Sequence, residues 1–351
     1  MSVLRLGLQR PRYSWPSRIA SIAHSTPSPR YNPTVSTTSS TPASAERQTV
    51  KLPDGRLLGF AEYGKPDGKP LFYFHGYPAS RREIAPISKD ANKRGIRLIS
   101  IDRPGIGAST FQSGRKLRDW PDDVRTLADT LGLDRFAVLG SSGGGPYAIA
   151  CALALPPQRL SVAGVFAGAP PWEFGAQHMS LPRRRLAYLA EHWPRSLEGL
   201  TATLVSISRW LLHCQWIQNK IDAWLVAVIN RANENEGKPV ETLSCEKLTE
   251  IREQTIGPFL DHFEQGAAGF VKETQVLVGP WGFPFEEVRG RVQIYHGAKD
   301  ANAPPQMMRI LAQRLPNCDL QELEKDDHYT MGRHMADAME KLVSDKKRTR
   351  I

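Results

Sequence analysis

The sequence predicts an α/β fold: a mostly parallel β-sheet with helices on both faces and an inserted α-helical segment. Three observations predict it. Short apolar runs alternate with stretches of helical spacing, the pattern of strand–helix–strand units joined by right-handed crossovers. Each run ends in a turn rich in Gly, Pro, His or Asp. The alternation stops over residues 172–285, where only helical periodicity is found, and then resumes.

The division that follows is an extension over 1–46, a first core part over 47–171, a helical insertion over 172–285 and a second core part over 286–347. The extension is rich in Arg, Ser, Thr and Pro and carries no acid before Glu46, which is the composition of a mitochondrial or plastid transit peptide or of a disordered tail. Mitochondrial import is therefore expected, with the cytoplasm as the alternative. From Arg47 the punctuation becomes regular. Residues 49–52 and 56–63 read as strands joined by a Pro53-Asp54-Gly55 turn. Residues 70–74 are continuously apolar, as in a strand covered on both faces, and run into His75-Gly76-Tyr77-Pro78. A helical stretch starts at Ser80, and residues 97–102 form the next strand. Residues 120–131 place Val124, Leu127 and Leu131 on one helical face.

The strand beginning at Phe136 ends in Gly140-Ser141-Ser142-Gly143-Gly144, and a run of helix formers follows at once. That strand–turn–helix context gives Gly-x-Ser-x-Gly the meaning of a nucleophile elbow, with Ser142 at its tip. A turn this sharp requires small residues two places before and after the serine, and Gly140 and Gly144 occupy them. A phosphate-binding loop would need a Lys after the glycines, which is absent. After a strand over 161–166, helical spacing recurs at 186–189, 204–211, 216–229, 248–256 and 259–270. Strands return at 291–295 and 319–323, with a helix over 305–315, a turn over 324–328 and a closing helix that runs to about residue 345.

Three chemically able side chains stand in loops after strands, in the order Ser142, Asp300, His328. A serine hydroxyl is a weak nucleophile until an imidazole takes its proton. A carboxylate on the other ring nitrogen fixes the tautomer and stabilises the imidazolium. His328 alone among the histidines follows the last strand. His75 and His296 lie inside strand-end motifs and read as turn organisers, as do Asp102 and Arg103. Asp326 and Asp327 read as loop carboxylates and His334 as a surface residue. Glu173, after the strand that precedes the insertion, is the fallback acid. Trp210, Trp216 and Trp224 fit a helical core first and an acyl pocket second.

These pieces together resemble the α/β-hydrolase superfamily. The matching segments are His75-Gly76-Tyr77-Pro78, Asp102-Arg103-Pro104-Gly105-Ile106-Gly107, Gly140-Ser141-Ser142-Gly143-Gly144, His296-Gly297-Ala298-Lys299-Asp300 and Asp327-His328. The resemblance implies Ser142 as nucleophile, Asp300 as acid, His328 as base and the N–H groups of Gly143 and Tyr77 as the oxyanion hole. It also implies that 172–285 is a cap. The stretch 75–78 and the lid resemble epoxide hydrolases and haloalkane dehalogenases, which use a carboxylate nucleophile; Ser142 points instead to acyl transfer. Ser141 stands where a histidine is common in the family. An esterase, thioesterase, lactonase, amidase or carbon–carbon bond hydrolase all fit. A lyase, a cofactor-free peroxidase or a ligand-binding protein without turnover are the alternatives.

The net charge of +10 resides mainly in the N-terminal arginines and in Lys346-Lys347-Arg348-Thr349-Arg350. The body between them is close to neutral, so nucleic acid is not the expected partner; a small acyl substrate is. Cys151, Cys214, Cys245 and Cys318 show no C-x-x-C spacing, so neither a disulfide framework nor a zinc site is expected. No cofactor is expected either. No apolar run reaches transmembrane length. Oligomeric state is not legible.

Overall fold

The structure, a computed structural model, describes residues 35–36, 46–235, 239 and 243–344. Among the described residues, nine strands form one sheet: β1 (Val35–Ser36), β2 (Gln48–Lys51), β3 (Leu57–Gly64), β4 (Lys69–Phe74), β5 (Ile96–Ile101), β6 (Phe136–Ser141), β7 (Leu160–Phe166), β8 (Val292–Gly297) and β9 (Cys318–Leu323). Their spatial order is β1-β2-β3-β5-β4-β6-β7-β8-β9. Pairing is antiparallel from β1 to β5 and parallel from β5 to β9.

The parallel strands are apolar at successive positions because both faces are covered. Alternation along β4 sends Phe72 and Phe74 to one face and Leu71 and Tyr73 to the other. The first face packs on α2 (Trp120–Thr130), α3 (Gly145–Ala154) and α9 (Pro305–Arg314) through Trp120, Tyr147 and Met308. The second packs on α1 (Ser88–Lys93) and α10 (Met335–Ser344) through Ala91, Met339 and Leu342. The helical stretch expected from Ser80 opens as a 3₁₀ segment, Arg81–Ile87, before α1.

Between β7 and β8 lie α4 (Leu181–His192), α5 (Pro194–Leu212), α6 (Gln215–Asn235), α7 (Cys245–His262) and α8 (Ala268–Val278). The single helix expected over 259–270 is two: α7 stops at His262, and Gly266 at φ 96° turns the chain before α8. The final helix likewise starts at Met335, after a 3₁₀ turn over Thr330–His334. The transit-like extension falls outside the described residues except for Val35, Ser36 and Glu46; Val35–Ser36 pairs with β2. Among the described residues, no helix is long and apolar enough to cross a membrane.

Register sets what meets at the carboxyl ends of the strands. Phe74 lies opposite Gly140, so the loop carrying Tyr77 leaves beside Ser142. Gly297 lies opposite Leu323, so the loops carrying Asp300 and His328 leave side by side.

Candidate active site

Ser142 has φ 47°, a left-handed conformation that costs a serine strain and projects its side chain from the turn. The turn closes only because its flanks lack side chains. A Cβ on Gly140 would lie 2.1 Å from the Gly144 carbonyl oxygen, and one on Gly144 would lie 2.1 Å from that of Phe74. The Ser142 carbonyl in turn accepts the Ala169 N–H at 2.8 Å, which ties the loop after β7 to the elbow.

His328 Nε2 lies 3.1 Å from Ser142 Oγ, and His328 Nδ1 lies 2.7 Å from Asp300 Oδ2. Donation from Nδ1 to the carboxylate leaves Nε2 as the acceptor facing the hydroxyl. Asp300 is buried, and its Oδ1 accepts the N–H groups of Asn302 and Ala303, both at 2.8 Å. His296 Nε2 donates to the Ala303 carbonyl at 2.8 Å and so shapes the loop that carries Asp300; burial pushes its imidazole below the usual range. Asp327 accepts the N–H groups of Tyr329 and Thr330, both at 2.9 Å, forming the turn that presents His328. Asp326 pairs with Arg333 at 2.7 Å and His334 at 3.2 Å. Glu173 is exposed near Arg314 and makes no bond to His328.

Gly143 and Tyr77 face one another: a Cβ on Gly143 would sit 3.3 Å from the Tyr77 nitrogen. The Gly76 carbonyl accepts from Arg103 Nη2 and His75 Nδ1, each at 2.8 Å, while the Gly76 N–H donates to Glu83 Oε2 at 2.8 Å. In a trans peptide the carbonyl and the next N–H point opposite ways. Holding the Gly76 carbonyl toward Arg103 therefore turns the Tyr77 N–H the other way, and among the described residues that N–H has no hydrogen-bond partner.

Arg103 is fully buried, with Nε 2.8 Å from Glu273 Oε1 on α8. Glu273 also pairs with Arg115 and accepts the Tyr147 hydroxyl at 2.9 Å. Burial alone would raise the Glu273 carboxyl, but Arg103 and Arg115 outweigh it and hold it below the usual range. The next residue, Thr274, bonds the Tyr77 hydroxyl, which donates to the Phe270 carbonyl at 3.0 Å. An ion cluster and a tyrosine thus join α8 to the loop beside Ser142. Asp102 has a separate task, holding Arg81 at 2.6 Å and the Ala108 N–H at 2.9 Å.

Tyr77 also packs edge-on against His262, whose Nδ1 donates to the Ala79 carbonyl at 2.8 Å. Burial pushes the His262 imidazole down from 6.5 to about 4. The unfolded chain then takes up a proton near pH 6.5 while the folded chain resists it, so stability present above pH 6.5 is lost progressively toward pH 4. Between pH 7 and pH 5 this group should cost about 2 kcal/mol of unfolding free energy. His262→Asn keeps an N–H for Ala79 but does not titrate. Urea unfolding at both pH values should show the variant losing less stability than wild type by that amount; equal losses would contradict the assignment.

A cavity of about 560 Å³ opens over Ser142, walled mainly by apolar side chains including Met179, Leu186, Leu204, Phe263 and Leu277. Trp210, Trp216 and Trp224 belong neither to this wall nor to a core; they are 67%, 64% and 58% exposed. Glu83, His262, Glu273 and Thr274, together with Arg183 on the cavity wall, are residues here that sequence reasoning missed. Each sits on a helical segment, where its spacing alone reads as solvated face or ordinary packing.

The family profile described as "alpha/beta hydrolase fold" matches residues 69–334. The chain is 29% identical over 124 residues to a non-heme chloroperoxidase of Streptomyces lividans, covering 35% of this chain and 45% of that protein. It is 28% identical over 142 residues to a proline iminopeptidase of Clostridioides difficile, covering 39% of this chain and 45% of that one. The matches thus span less than half the length of these relatives. Among solved structures, an esterase from Exiguobacterium antarcticum is similar with a TM-score of 0.58 at 15% identity, over 85% of this chain and 99% of that one. A bromoperoxidase from Bacillus anthracis is similar with a TM-score of 0.56 at 16% identity, over 83% and 96%. At these identities the likeness is one of fold.

Proposed function

The chain belongs to the alpha/beta hydrolase family, and on that premise we propose that it is a serine hydrolase working through an acyl-enzyme on Ser142. Its substrate is a small, mainly apolar ester, thioester or related acyl compound. The observation that carries this reading is the unbroken relay from Ser142 Oγ to His328 Nε2 at 3.1 Å and from His328 Nδ1 to Asp300 at 2.7 Å.

Ser142 Oγ attacks the carbonyl carbon while its proton passes to His328 Nε2, and the carbonyl oxygen takes up the negative charge. That oxyanion is met by the N–H groups of Gly143 and Tyr77, preorganised by the elbow and by the Arg103–Gly76 bond. As the tetrahedral intermediate collapses, the bond to the leaving group breaks and His328 returns the proton to it. Water then attacks the acyl-enzyme with His328 again as base, releasing the acid and restoring the Ser142 hydroxyl.

The test is covalent labelling by a fluorophosphonate, which should modify wild type and leave Ser142→Ala unmodified. Normal labelling of the variant would remove the reading. A second reading keeps the same acyl-enzyme and lets hydrogen peroxide replace water, giving a peracid. Similarity to a non-heme chloroperoxidase and to a bifunctional esterase/perhydrolase of Acinetobacter calcoaceticus favours including peroxide in the assay.

Arg103 should act through the Tyr77 peptide. Lys in its place cannot span both the Gly76 carbonyl and Glu273, because it lacks the planar fork. Arg103→Lys is expected to lower kcat by roughly 10²-fold, the cost of a misplaced group, with KM changed far less. Steady-state kinetics with a p-nitrophenyl ester check this; an unchanged kcat would free the loop from Arg103.

A further inference from the structure

Among the described residues lining the cavity over Ser142, Arg183 alone is charged. It lies in the first turn of α4 between apolar neighbours of the wall. One of its N–H groups donates to the Asn302 carbonyl, and no carboxylate pairs with it among the described residues. Asp300 on the same loop is occupied by His328 and by two backbone N–H groups. The neighbouring Arg184 and Arg185 are exposed and line a separate surface depression, so only one of three consecutive arginines is turned inward. Burial pulls the Arg183 guanidinium below its usual range. The nearby counter-charge is Asp300, already engaged by His328 and two backbone N–H groups, so a partly buried cation whose desolvation outweighs that attraction would be relieved by a bound anion.

Arg183 also borders a smaller chamber of about 390 Å³ that contains Ser142 and His328. That chamber is lined by Glu83, a carboxyl that accepts from Tyr73 at 2.6 Å and from the Gly76 N–H, and an anion there would face it. Among the described residues, no acidic side chain lines the larger cavity. We propose that the substrate is an anionic acyl compound, with its apolar body in the larger cavity and its carboxylate on Arg183 while its reacting carbonyl lies at Ser142. This rests on the acyl-transfer reading above. A planar guanidinium meets a carboxylate through two parallel N–H bonds, so the pairing fixes orientation as well as charge. A neutral analogue of equal length leaves Arg183 unpaired, which is how a polar subsite rejects the wrong substrate.

The experiment compares p-nitrophenyl hemiesters of adipate, pimelate and suberate with p-nitrophenyl hexanoate, heptanoate and octanoate, using the full chain. Wild type should favour the hemiester at one or more lengths by about ten-fold or more in kcat/KM. Arg183→Gln should reduce that preference by at least about ten-fold, and Arg183→Lys should retain part of it. Cleavage of the neutral esters with no preference at any length, or a preference unchanged in Arg183→Gln, overturns the proposal and leaves the acyl-transfer reading standing. Calorimetry on Ser142→Ala separates the two claims further, because it needs no turnover. Monomethyl adipate should bind more tightly than dimethyl adipate, and the difference should vanish in Ser142→Ala combined with Arg183→Gln. Equal binding of the two ligands to Ser142→Ala overturns the proposal, even if every ester is hydrolysed by wild type.

Discussion

Ser142→Ala is expected to lower kcat/KM toward p-nitrophenyl esters by on the order of 10⁶-fold, as removal of the nucleophile does where hydroxyl, imidazole and carboxylate act as a unit. The substitution deletes one oxygen and retains the backbone strain at φ 47°, so the unfolding midpoint should stay close to that of wild type. Steady-state kinetics and denaturant unfolding on the same preparation check both statements. Residual activity within a few-fold of wild type would place the nucleophile elsewhere.

Asp300→Asn carries the second largest expected effect, a loss on the order of 10⁴-fold in kcat. The reason lies in which atom faces which partner. Asp300 Oδ1 accepts the N–H groups of Asn302 and Ala303, and the carbonyl oxygen of an asparagine can keep both bonds. Its amide nitrogen is then directed at His328 Nδ1, which can no longer donate there. The ring shifts to the tautomer protonated on Nε2, and the atom facing Ser142 Oγ ceases to be a base. The loop stays folded and the chemistry stops. A loss smaller than ten-fold would mean that another carboxylate orients His328, and Glu173, exposed near Arg314, is not placed to do so.

Much of this arrangement was legible in the sequence because its signals are local. Continuous apolar runs marked β4, β6 and β7, since strands covered on both faces need no polar alternation. Gly140 and Gly144 marked the elbow because steric exclusion there leaves no other choice. His75, His296 and Asp102 read as organisers of turns, and their buried hydrogen bonds to nearby loops bear that out.

What was not legible depends on the partner a side chain meets across the fold. Phe259, Phe263 and Phe270 keep near-helical spacing, so the break at Gly266 is invisible to periodicity. Trp210, Trp216 and Trp224 lie on amphipathic helices, and the pattern identifies a stripe without saying what covers it. Arg103 was recognised as a loop tie, but its bonds to Gly76 and Glu273 join residues 27 and 170 positions away. Arg183, Arg184 and Arg185 are three consecutive identical residues, and only packing separates the first from the other two.

The acyl-enzyme itself is the most direct object to measure. Acid quenching of the full chain during turnover of p-nitrophenyl butyrate, whose good leaving group makes deacylation the slower step, can be followed by peptide mass mapping. The account predicts a butyryl group on the peptide bearing Ser142, and none anywhere in Ser142→Ala. Steady hydrolysis with Ser142 never acylated, or a butyryl group mapped to a different residue, would contradict it.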